Sequence, residues 1–370
     1  MKHNRILFLS LRIFSATGGI EKVCRILGKA LFEKTFLGNC SLEIYSSHDS
    51  SNQAKDNVYF TSDCFSGFGN KRLKFLNAAF FKGLKSDVVI FSHINLLPIG
   101  WLIKLFSPKT KLLMLAHGIE VWSLPLGIKK KMLGSCDEIL CVSQFTKDEM
   151  IKLHGGDPQK YTVLNNCLDP FLPILTKQID KTELRYNHGF KPFDNILFTL
   201  TRMDATERYK GYDRVLQAMS LLINEMPDLK YIIGGSYDEI EKNNIDALIA
   251  NLGLIDHVKI AGFIPDSDLK DYFLMTDLYV MPSYNEGFGI VFIEAMYHGL
   301  PVIAGNKDGS VDALLNGKLG TLIDPMDFVS LKNAIKDNFE NSKNKKVDKA
   351  VLMAHFGYDV YKEKLSVILN

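Results

Sequence analysis

The sequence predicts two successive open α/β domains, each built on a parallel sheet. Three observations carry that reading. Short apolar runs alternate with amphipathic stretches along almost the whole chain. The alternation breaks once, between Asn166 and Phe193, where Pro170, Pro173 and Pro192 sit among polar residues. The 370 residues, 46% hydrophobic and 23% charged, suffice for two ordinary cores and exceed one small domain.

In the first series, Ile6–Ser10, Asp87–Ser92, Lys111–Ala116, Glu138–Val142 and Tyr161–Leu164 are short apolar runs with polar or turn residues at their ends, as in buried strands. Glu21–Lys34 and Thr146–His154 have helical spacing. The second series has strands at Asn195–Leu200, Lys230–Gly234, Val258–Ala261, Leu278–Met281 and Pro301–Ala304. Its helices are Gly211–Met226, Asp238–Leu252, Asp266–Met275 and Ile290–His298. Such alternation requires right-handed crossovers between parallel strands. The expected domains are residues 1–177 and 190–340, with a proline-rich linker between them. Residues 341–370 read as a polar connection and a helix packing back on the first domain. Ligands bind outside the carboxyl ends of such strands, in a cleft the two domains would face.

Net charge is only +2, but it is unevenly placed. Residues 1–177 hold 23 Lys and Arg against 14 Asp and Glu, a net of +9; the remainder holds 21 against 28, a net of −7. A basic first half points to an anionic partner, a membrane surface or a phosphorylated molecule; scattered surface lysines are the alternative. The six cysteines show no CxxC spacing and lie mostly in apolar runs, as buried thiols in a reducing compartment do. Met1 to Phe14 reads as a first strand, because its apolar run is short and broken by Arg12. No run approaches the roughly 18 apolar residues of a membrane span.

The strongest chemical signal runs from Asn285 to Met296 and contains Glu286-Gly-Phe-Gly-Ile290 and Glu294. Gly287 and Gly289 let backbone approach a ligand, and the free amides from Phe288 to Val291 then face an anion at a helix start. Glu286 and Glu294 can accept paired hydrogen bonds from sugar or ribose hydroxyls. A capped helix with two surface acids is the competing reading. Arg202 and Lys210 flank the loop after the strand Asn195–Leu200, where two cations can neutralise a diphosphate; taken alone, this segment reads more readily as a solvated charged loop. Gly18-Gly19 after the first strand lacks the Gly-x-Gly-x-x-Gly spacing of a dinucleotide fingerprint but presents amides to a phosphate; a tight turn is the alternative. His117 ends the strand Lys111–Ala116, in position to meet a sugar oxygen; a structural histidine is the alternative. Asp266-Ser267-Asp268 looks like a metal motif and reads instead as a helix N-cap. Residues 71–85 carry five basic residues and no acid, with Leu73, Leu76, Phe80 and Leu84 on one stripe. Such a helix lies on an anionic bilayer or packs its stripe on the sheet.

In this order, these segments resemble the family 4 glycosyltransferases of the GT-B fold. The resemblance covers nearly the whole chain and is strongest over residues 196–325. The family's Glu-x7-Glu falls on Glu286 and Glu294, its cationic pair on Arg202 and Lys210, its glycine loop on Gly18 and Gly19, and its donor-site histidine on His117. Ile260-Ala-Gly262-Phe263 resembles its base-binding loop, Ser143-Gln-Phe-Thr146 its helix-opening S-x-x-T, and residues 71–85 its membrane-docking helix. One departure stands at Asp308-Gly-Ser-Val-Asp312, where the family often has Gly-Gly followed by Glu.

The resemblance implies two Rossmann-like domains, the first for acceptor and the second for nucleotide sugar. It implies a retaining transfer of a hexose-type sugar from a UDP- or GDP-sugar to a lipid-linked or saccharide acceptor, in bacterial surface polysaccharide or glycolipid assembly. No metal and no cofactor is expected, and no nucleic acid partner. Arg202, Lys210, Glu286 and His117 would carry the chemistry. Gly18, Gly19, Gly262, Phe263, Gly287, Phe288, Gly289, Ile290 and Glu294 would bind the donor. The protein would be cytoplasmic, with peripheral contact to the inner membrane face through residues 71–85. A nucleotide-sugar epimerase of the same fold and a non-catalytic sugar-nucleotide-binding protein are the alternatives.

Overall fold

Alternation becomes architecture through the buried strands. The computed structural model describes residues 4–36, 38, 40–122, 127–173, 180–341 and 347–369. Among them, the first unit forms a sheet of seven strands: β1 Asn4–Ser10, β2 Cys40–Ser46, β3 Phe65–Gly67, β4 Val88–Phe91, β5 Lys111–Ala116, β6 Glu138–Cys141 and β7 Tyr161–Val163. Their order is β3-β2-β1-β4-β5-β6-β7, and every pairing is parallel. The second unit holds β8 Asn195–Leu200, β9 Leu229–Gly234, β10 Val258–Gly262, β11 Leu278–Met281, β12 Val302–Gly305 and β13 Thr321–Ile323, in the order β10-β9-β8-β11-β12-β13. Both sheets are doubly wound. The strand order reverses between β1 and β4 in the first and between β8 and β11 in the second, and the crevice at such a reversal is where ligands bind.

Each unit buries its own core. In the first, Leu7, Val89, Phe91, Leu112 and Met114 of the central strands meet Phe75, Ala79 and Ile103 from the covering helices. In the second, Leu197, Tyr231, Ile233 and Val280 meet Val215, Leu216 and Leu331. The parallel strands are buried on both faces, which is why they read as continuous apolar runs.

Three strands escape that reading. In β2, Cys40, Leu42, Ile44 and Ser46 are buried while Ser41 is exposed and Glu43 and Tyr45 are half-buried. Its signal is alternation, not an apolar run. β3 and β13 are three residues each, too short for any period to register.

The units divide at Pro170 and Phe171, with Tyr358–Asn370 returning to the first unit. Residue 177 lies outside the described residues. The stretch read as a linker is packed structure from residue 180 onward. Lys181–Asn187 forms a helix capped by Asp180, whose side chain accepts from Thr182 N. Arg185, 6% exposed, donates to the carbonyls of Met275 and Pro192 at 2.9 and 2.6 Å and bidentately to Asp277 at 2.7 and 2.6 Å. Each nitrogen of this buried guanidinium thereby has an acceptor. At the chain's end, the helix Lys349–Phe356 belongs to the second unit and Tyr358–Leu369 to the first. Lys362 reaches Glu33 at 3.1 Å, and Lys111 donates to the Ile368 carbonyl at 2.6 Å. Residues 342–346 of the expected polar connection lie outside the described residues.

Two local expectations change. Asp266 and Ser267 do not cap their helix: Pro265 is the N-cap and no side chain accepts there. Asp266 and Asp268 instead stand in the first turn, where negative charge complements the helix dipole. The helix Arg72–Gly83 buries Phe75, Ala79 and Gly83, while of the stripe read from the sequence Phe80 is only part-buried against the core. Leu73 and Leu76 are 78% and 42% exposed. The helix therefore has two apolar faces, one in the core and one outward. Among the described residues, no helix is long and apolar enough to cross a membrane.

All six cysteines are free, and all but Cys64 are buried. Burial deprives their thiolates of solvation, pushing Cys24, Cys136 and Cys141 up to about 12 and Cys64 to about 11. The thiolate is the reactive form. We expect a disulfide reagent at pH 8 to titrate at most one thiol per native chain within minutes, and all six after unfolding. Fast reaction of three or more in the native protein would contradict this burial.

Candidate functional site

In the second unit, the loops following β8 and β11 meet at the strand-order reversal. The first loop begins after Leu200. Asp204 caps its 3-10 segment, Ala205–Lys210, which kinks at Glu207, by accepting from Thr206 N. Arg208 from that turn pairs with Glu241, donating to both carboxylate oxygens at 2.6–3.0 Å. Glu241 is 1% exposed and also accepts from Tyr212 Oη at 2.7 Å. This buried anchor fixes the turn and aims Lys210, the next residue but one, away from it.

Lys210 donates to Glu286, which stands on the loop after β11. The two side chains are 15% and 16% exposed. Burial alone would lower the Lys210 pKa; the facing Glu286 carboxylate more than offsets this and holds it above the ordinary lysine value. Lys210 also lies 5.1 Å from the Tyr209 ring centroid, and Tyr284 N donates to Tyr209 O at 3.1 Å, tying the loops together. Arg202 is placed differently. It is 60% exposed and pairs with Glu207 of its own loop at 3.2 Å. The two cations read as a pair thus differ, one inside the site and one at its edge.

A third segment clamps Glu286. The Asp308 carboxylate, 1% exposed, accepts from Glu286 N at 2.7 Å, Ser283 Oγ at 2.8 Å and Ser310 N at 2.9 Å. Gly309 N donates to the Glu286 carbonyl at 2.8 Å. Only glycine fits at 309, because a Cβ there would stand 2.0 Å from the Gly287 carbonyl oxygen. Both peptide groups of Glu286 are therefore fixed before any ligand arrives.

Beyond Gly287, the Phe288 side chain turns into the core, 1% exposed and 5.5 Å from the Phe356 ring, so only its backbone can face a ligand. Gly289, at φ 78°, is the N-cap of the helix Ile290–Tyr297. No side chain caps this helix, leaving its first-turn amides, Ile290 foremost, to an anion. Glu294 follows within the helix and is 2% exposed. Gly262, at φ 69°, ends β10 and is followed by Phe263, 56% exposed, with Tyr237 near by.

In the first unit, the ends of β1, β2 and β4 carry Ser10, Ser46 and Ser92. Ser92 Oγ donates to Ser10 Oγ at 3.0 Å. Gly18 and Gly19 open the helix Gly19–Thr35, with Gly18 as N-cap. The loop before them hangs on Asp49, fully buried, which accepts from Ile13 N, Phe14 N, Ser15 N and Ser46 Oγ at 2.6–3.3 Å. His117 Nε2 donates to the Ser92 carbonyl at 2.9 Å, and His117 N donates to Glu120 Oε1 at 2.6 Å. Burial lowers the pKa of the neighbouring His93, with Glu120 and Glu21 opposing and His117 assisting. The glycine loop and His117, far apart in sequence, thus share one end of one sheet. Ser143 caps the helix Gln144–His154, its Oγ accepting from Thr146 N at 2.9 Å.

Asp49, Glu241 and Asp308 were not singled out as site residues from the sequence. Each is a buried carboxylate serving backbone or side-chain donors, and nothing in spacing marks it. For Asp308 there was a trace, the departure from Gly-Gly. Among the described residues, no three His, Cys, Asp or Glu converge as metal ligands.

Two doubly wound units with polar side chains gathered at each strand-order reversal define a protein of the two-domain open α/β class. Residues 180–351 match the family described as Glycosyl transferases group 1, and residues 17–170 match Glycosyltransferase Family 4. Together these matches span both units, and the chain belongs to the family 4, group 1 glycosyltransferases. It is 28% identical to D-inositol 3-phosphate glycosyltransferase 2 of Catenulispora acidiphila, over 56% of this chain and 49% of that protein. It is 29% identical to the GDP-mannose-dependent alpha-(1-6)-phosphatidylinositol monomannoside mannosyltransferase of Mycolicibacterium smegmatis, over 60% and 59%. The chain thus matches about half of these relatives' length. The crystal structure of Anabaena HepE in complex with UDP and glucose superposes with a TM-score of 0.80 at 20% identity, covering 99% of each chain. Sucrose-phosphate synthase of Thermosynechococcus elongatus gives 0.78 at 19%, covering 99% and 98%. These likenesses establish the fold as GT-B, two Rossmann-like units with parallel sheets.

Proposed function

We propose that this protein is a retaining, metal-independent glycosyltransferase. It moves a hexose-type sugar from a UDP- or GDP-sugar to a lipid-linked or saccharide acceptor in bacterial surface polysaccharide or glycolipid biosynthesis. The observation that carries this reading is the Lys210–Glu286 pair at the reversal between β8 and β11, beside the uncapped helix start at Ile290. A cation, a hydroxyl-binding carboxylate and open amides are what a sugar diphosphate needs. The relative named for a GDP-mannose donor and the structure named for UDP and glucose support the nucleotide class.

In this reading the bond from the sugar's anomeric carbon to the diphosphate oxygen breaks and a bond to the acceptor oxygen forms on the same face. The acceptor's proton passes to the leaving phosphate. Lys210, Arg202 and the amides at Gly289 and Ile290 hold the charge that develops on the diphosphate, work a metal does elsewhere. Glu286 holds sugar hydroxyls and Glu294 the ribose, the base lies by Gly262 and Phe263, and His117, Gly18 and Gly19 position the sugar end. Lys210 has to release Glu286 in part when the donor arrives.

A thermal-shift panel of UDP- and GDP-sugars, with and without EDTA, tests this. Stabilisation by one donor, unchanged by EDTA, is the expected result. Failure of every donor to bind, together with no release of UDP or GDP in the presence of membranes, would overturn the reading.

The enzyme works at the inner face of the membrane through its first unit. Leu73, Leu76 and Phe81 face outward on the helix Arg72–Gly83, and Leu102, Leu105 and Phe106 do so on the adjacent helix Leu97–Phe106. Phe80 and Phe106 join the two faces with ring centroids 5.8 Å apart. Lys82 is engaged with Glu43, whereas Lys71 and Lys74 have no ion pair among the described residues. Each basic residue near an anionic surface contributes about 1 kcal/mol. Reversing both, Lys71→Glu with Lys74→Glu, should weaken binding to anionic vesicles at least about tenfold while leaving nucleotide binding intact. Equal vesicle affinity would refute the contact.

A further inference from the structure

The first unit contains a cavity of about 550 Å³, bounded by Ser10 and Ser92 of the site above, whose cationic wall has no part in holding the donor. It opens at the reversal between β1 and β4 and is walled by Arg12 after β1, His48 after β2, His93 after β4 and Arg72 at the start of its helix. Arg12 and Arg72 are exposed and make no ion pair with the described residues. His48 donates through Nδ1 to the Leu11 carbonyl at 2.8 Å. His93 Nδ1 accepts from Asn95 N at 3.1 Å, so its proton sits on Nε2. Burial lowers the pKa of His93 and keeps it a neutral donor. The acid in the wall, Glu21, folds back over Gly18 at the start of its own helix, where the helix dipole takes up its charge.

The opposite wall is apolar: Phe75, Leu76, Leu96 and Ile99. Leu76 lies one helical turn from Arg72 and is 42% exposed. It belongs both to the cavity and to the outward face that carries Leu73. The cavity is thus cationic at one side and continuous at the other with exposed hydrocarbon surface. A neutral saccharide requires neither two unpaired guanidinium groups nor such a wall, and a free anion does not require the wall.

We propose that this cavity binds the phosphate of a lipid-borne acceptor, with the phosphate between Arg12 and Arg72 and the first carbons of the chain along Phe75 and Leu76. This rests on the reading of the protein as a transferase with a lipid-linked acceptor and names the chemistry of that acceptor. Planar guanidinium groups match phosphate oxygens bidentately. The alkyl chain leaves over Leu76 toward the bilayer.

Calorimetry with octyl phosphate below its micelle concentration tests it, against inorganic phosphate and octyl glucoside. The expected result is one saturable site per chain, at least about tenfold tighter for octyl phosphate than for either control. Arg12→Gln with Arg72→Gln should weaken it about thirtyfold or more, as loss of charge-assisted hydrogen bonds does. Should that variant melt early, Leu76→Asp at the rim serves instead: it should weaken octyl phosphate and spare inorganic phosphate. Inorganic phosphate binding as tightly as octyl phosphate would remove the lipid from the proposal, and octyl glucoside binding equally would remove the anion. Binding of octyl phosphate unchanged in the variants, or absent from the wild type, would overturn it outright. Absence of any UDP- or GDP-sugar shift in the same wild-type protein would count against the transferase reading and not against this site.

Discussion

Replacing Lys210 by alanine should lower kcat about 10²- to 10³-fold, the usual loss when a fixed donor to developing negative charge is removed. The effect should fall on kcat more than on the donor's KM, because the diphosphate gains charge as the glycosidic bond breaks. The structure sharpens the case. Lys210 is held by a turn that Arg208 and the buried Glu241 anchor, so the cation is placed in advance. Arginine should not restore the rate, since its planar fork does not fit where a point charge sits 15% exposed against Glu286. Because Glu286 holds the Lys210 pKa above the ordinary lysine value, the pair's contribution to stability is complete below that value. It is lost only as pH rises through the folded pKa. The alkaline limb of a pH–rate profile below about pH 10 therefore does not belong to Lys210. Initial rates of nucleoside diphosphate release at fixed acceptor check this. A Lys210→Ala rate within threefold of wild type would remove Lys210 from the chemistry.

What the sequence disclosed follows from how each feature is encoded. Lys111–Ala116, Asn195–Leu200 and Leu278–Met281 could be bounded to the residue, because strands buried on both faces are apolar almost throughout. β2 was hidden by its alternation, and the helix Lys181–Asn187 by the prolines around it. Arg185 reads as a linker residue until Asp277, 92 positions on, is brought to it. The candidate site divides the same way. Glu286, Lys210 and Gly289 lie on loops directly after strands, so the doubly wound topology alone places them at a binding edge. The buried carboxylates behind them, Glu241 and Asp308, act through contacts of long sequence separation that no spacing expresses. For the helix at 72–83, the period was right and the buried face was not. Phe75, Ala79 and Gly83 are smaller in sum than Leu73, Leu76 and Phe80, and close packing selected them: a Cβ at Gly83 would stand 2.2 Å from Ile103.

Asp308→Ala should cost the second unit about 2–4 kcal/mol, since it strands the buried donors Glu286 N, Ser310 N and Ser283 Oγ. For a unit of this size that is a fall of about 5–15 °C in its unfolding transition. The donor's KM should rise as well, because Glu286 loses the bond that fixes its backbone. Asparagine should behave otherwise. Burial raises the Asp308 pKa, with the hydrogen bonds from Ser310 and Glu286 opposing, so the fold favours the protonated carboxyl relative to the unfolded chain. Stability from this group is therefore greatest at or below the unfolded aspartate value and declines as pH rises toward the folded one. Glu286 N and Ser283 Oγ share one carboxylate oxygen and Ser310 N takes the other, so an amide whose oxygen sits at the shared position keeps two of the three bonds and sets its nitrogen against Ser310 N. Asp308→Asn should thus cost about 1–2 kcal/mol at pH 7, less than alanine, and keep the donor's KM within a few-fold, because the bond to Glu286 N is retained. Thermal melts and donor titrations of the two variants separate the possibilities. Equal damage from both would mean that the charge or the bond to Ser310 N carries the effect, and not the bond to Glu286 N. No damage from alanine would mean that Gly309 alone holds Glu286, and that the family's Gly-Gly could stand here unchanged.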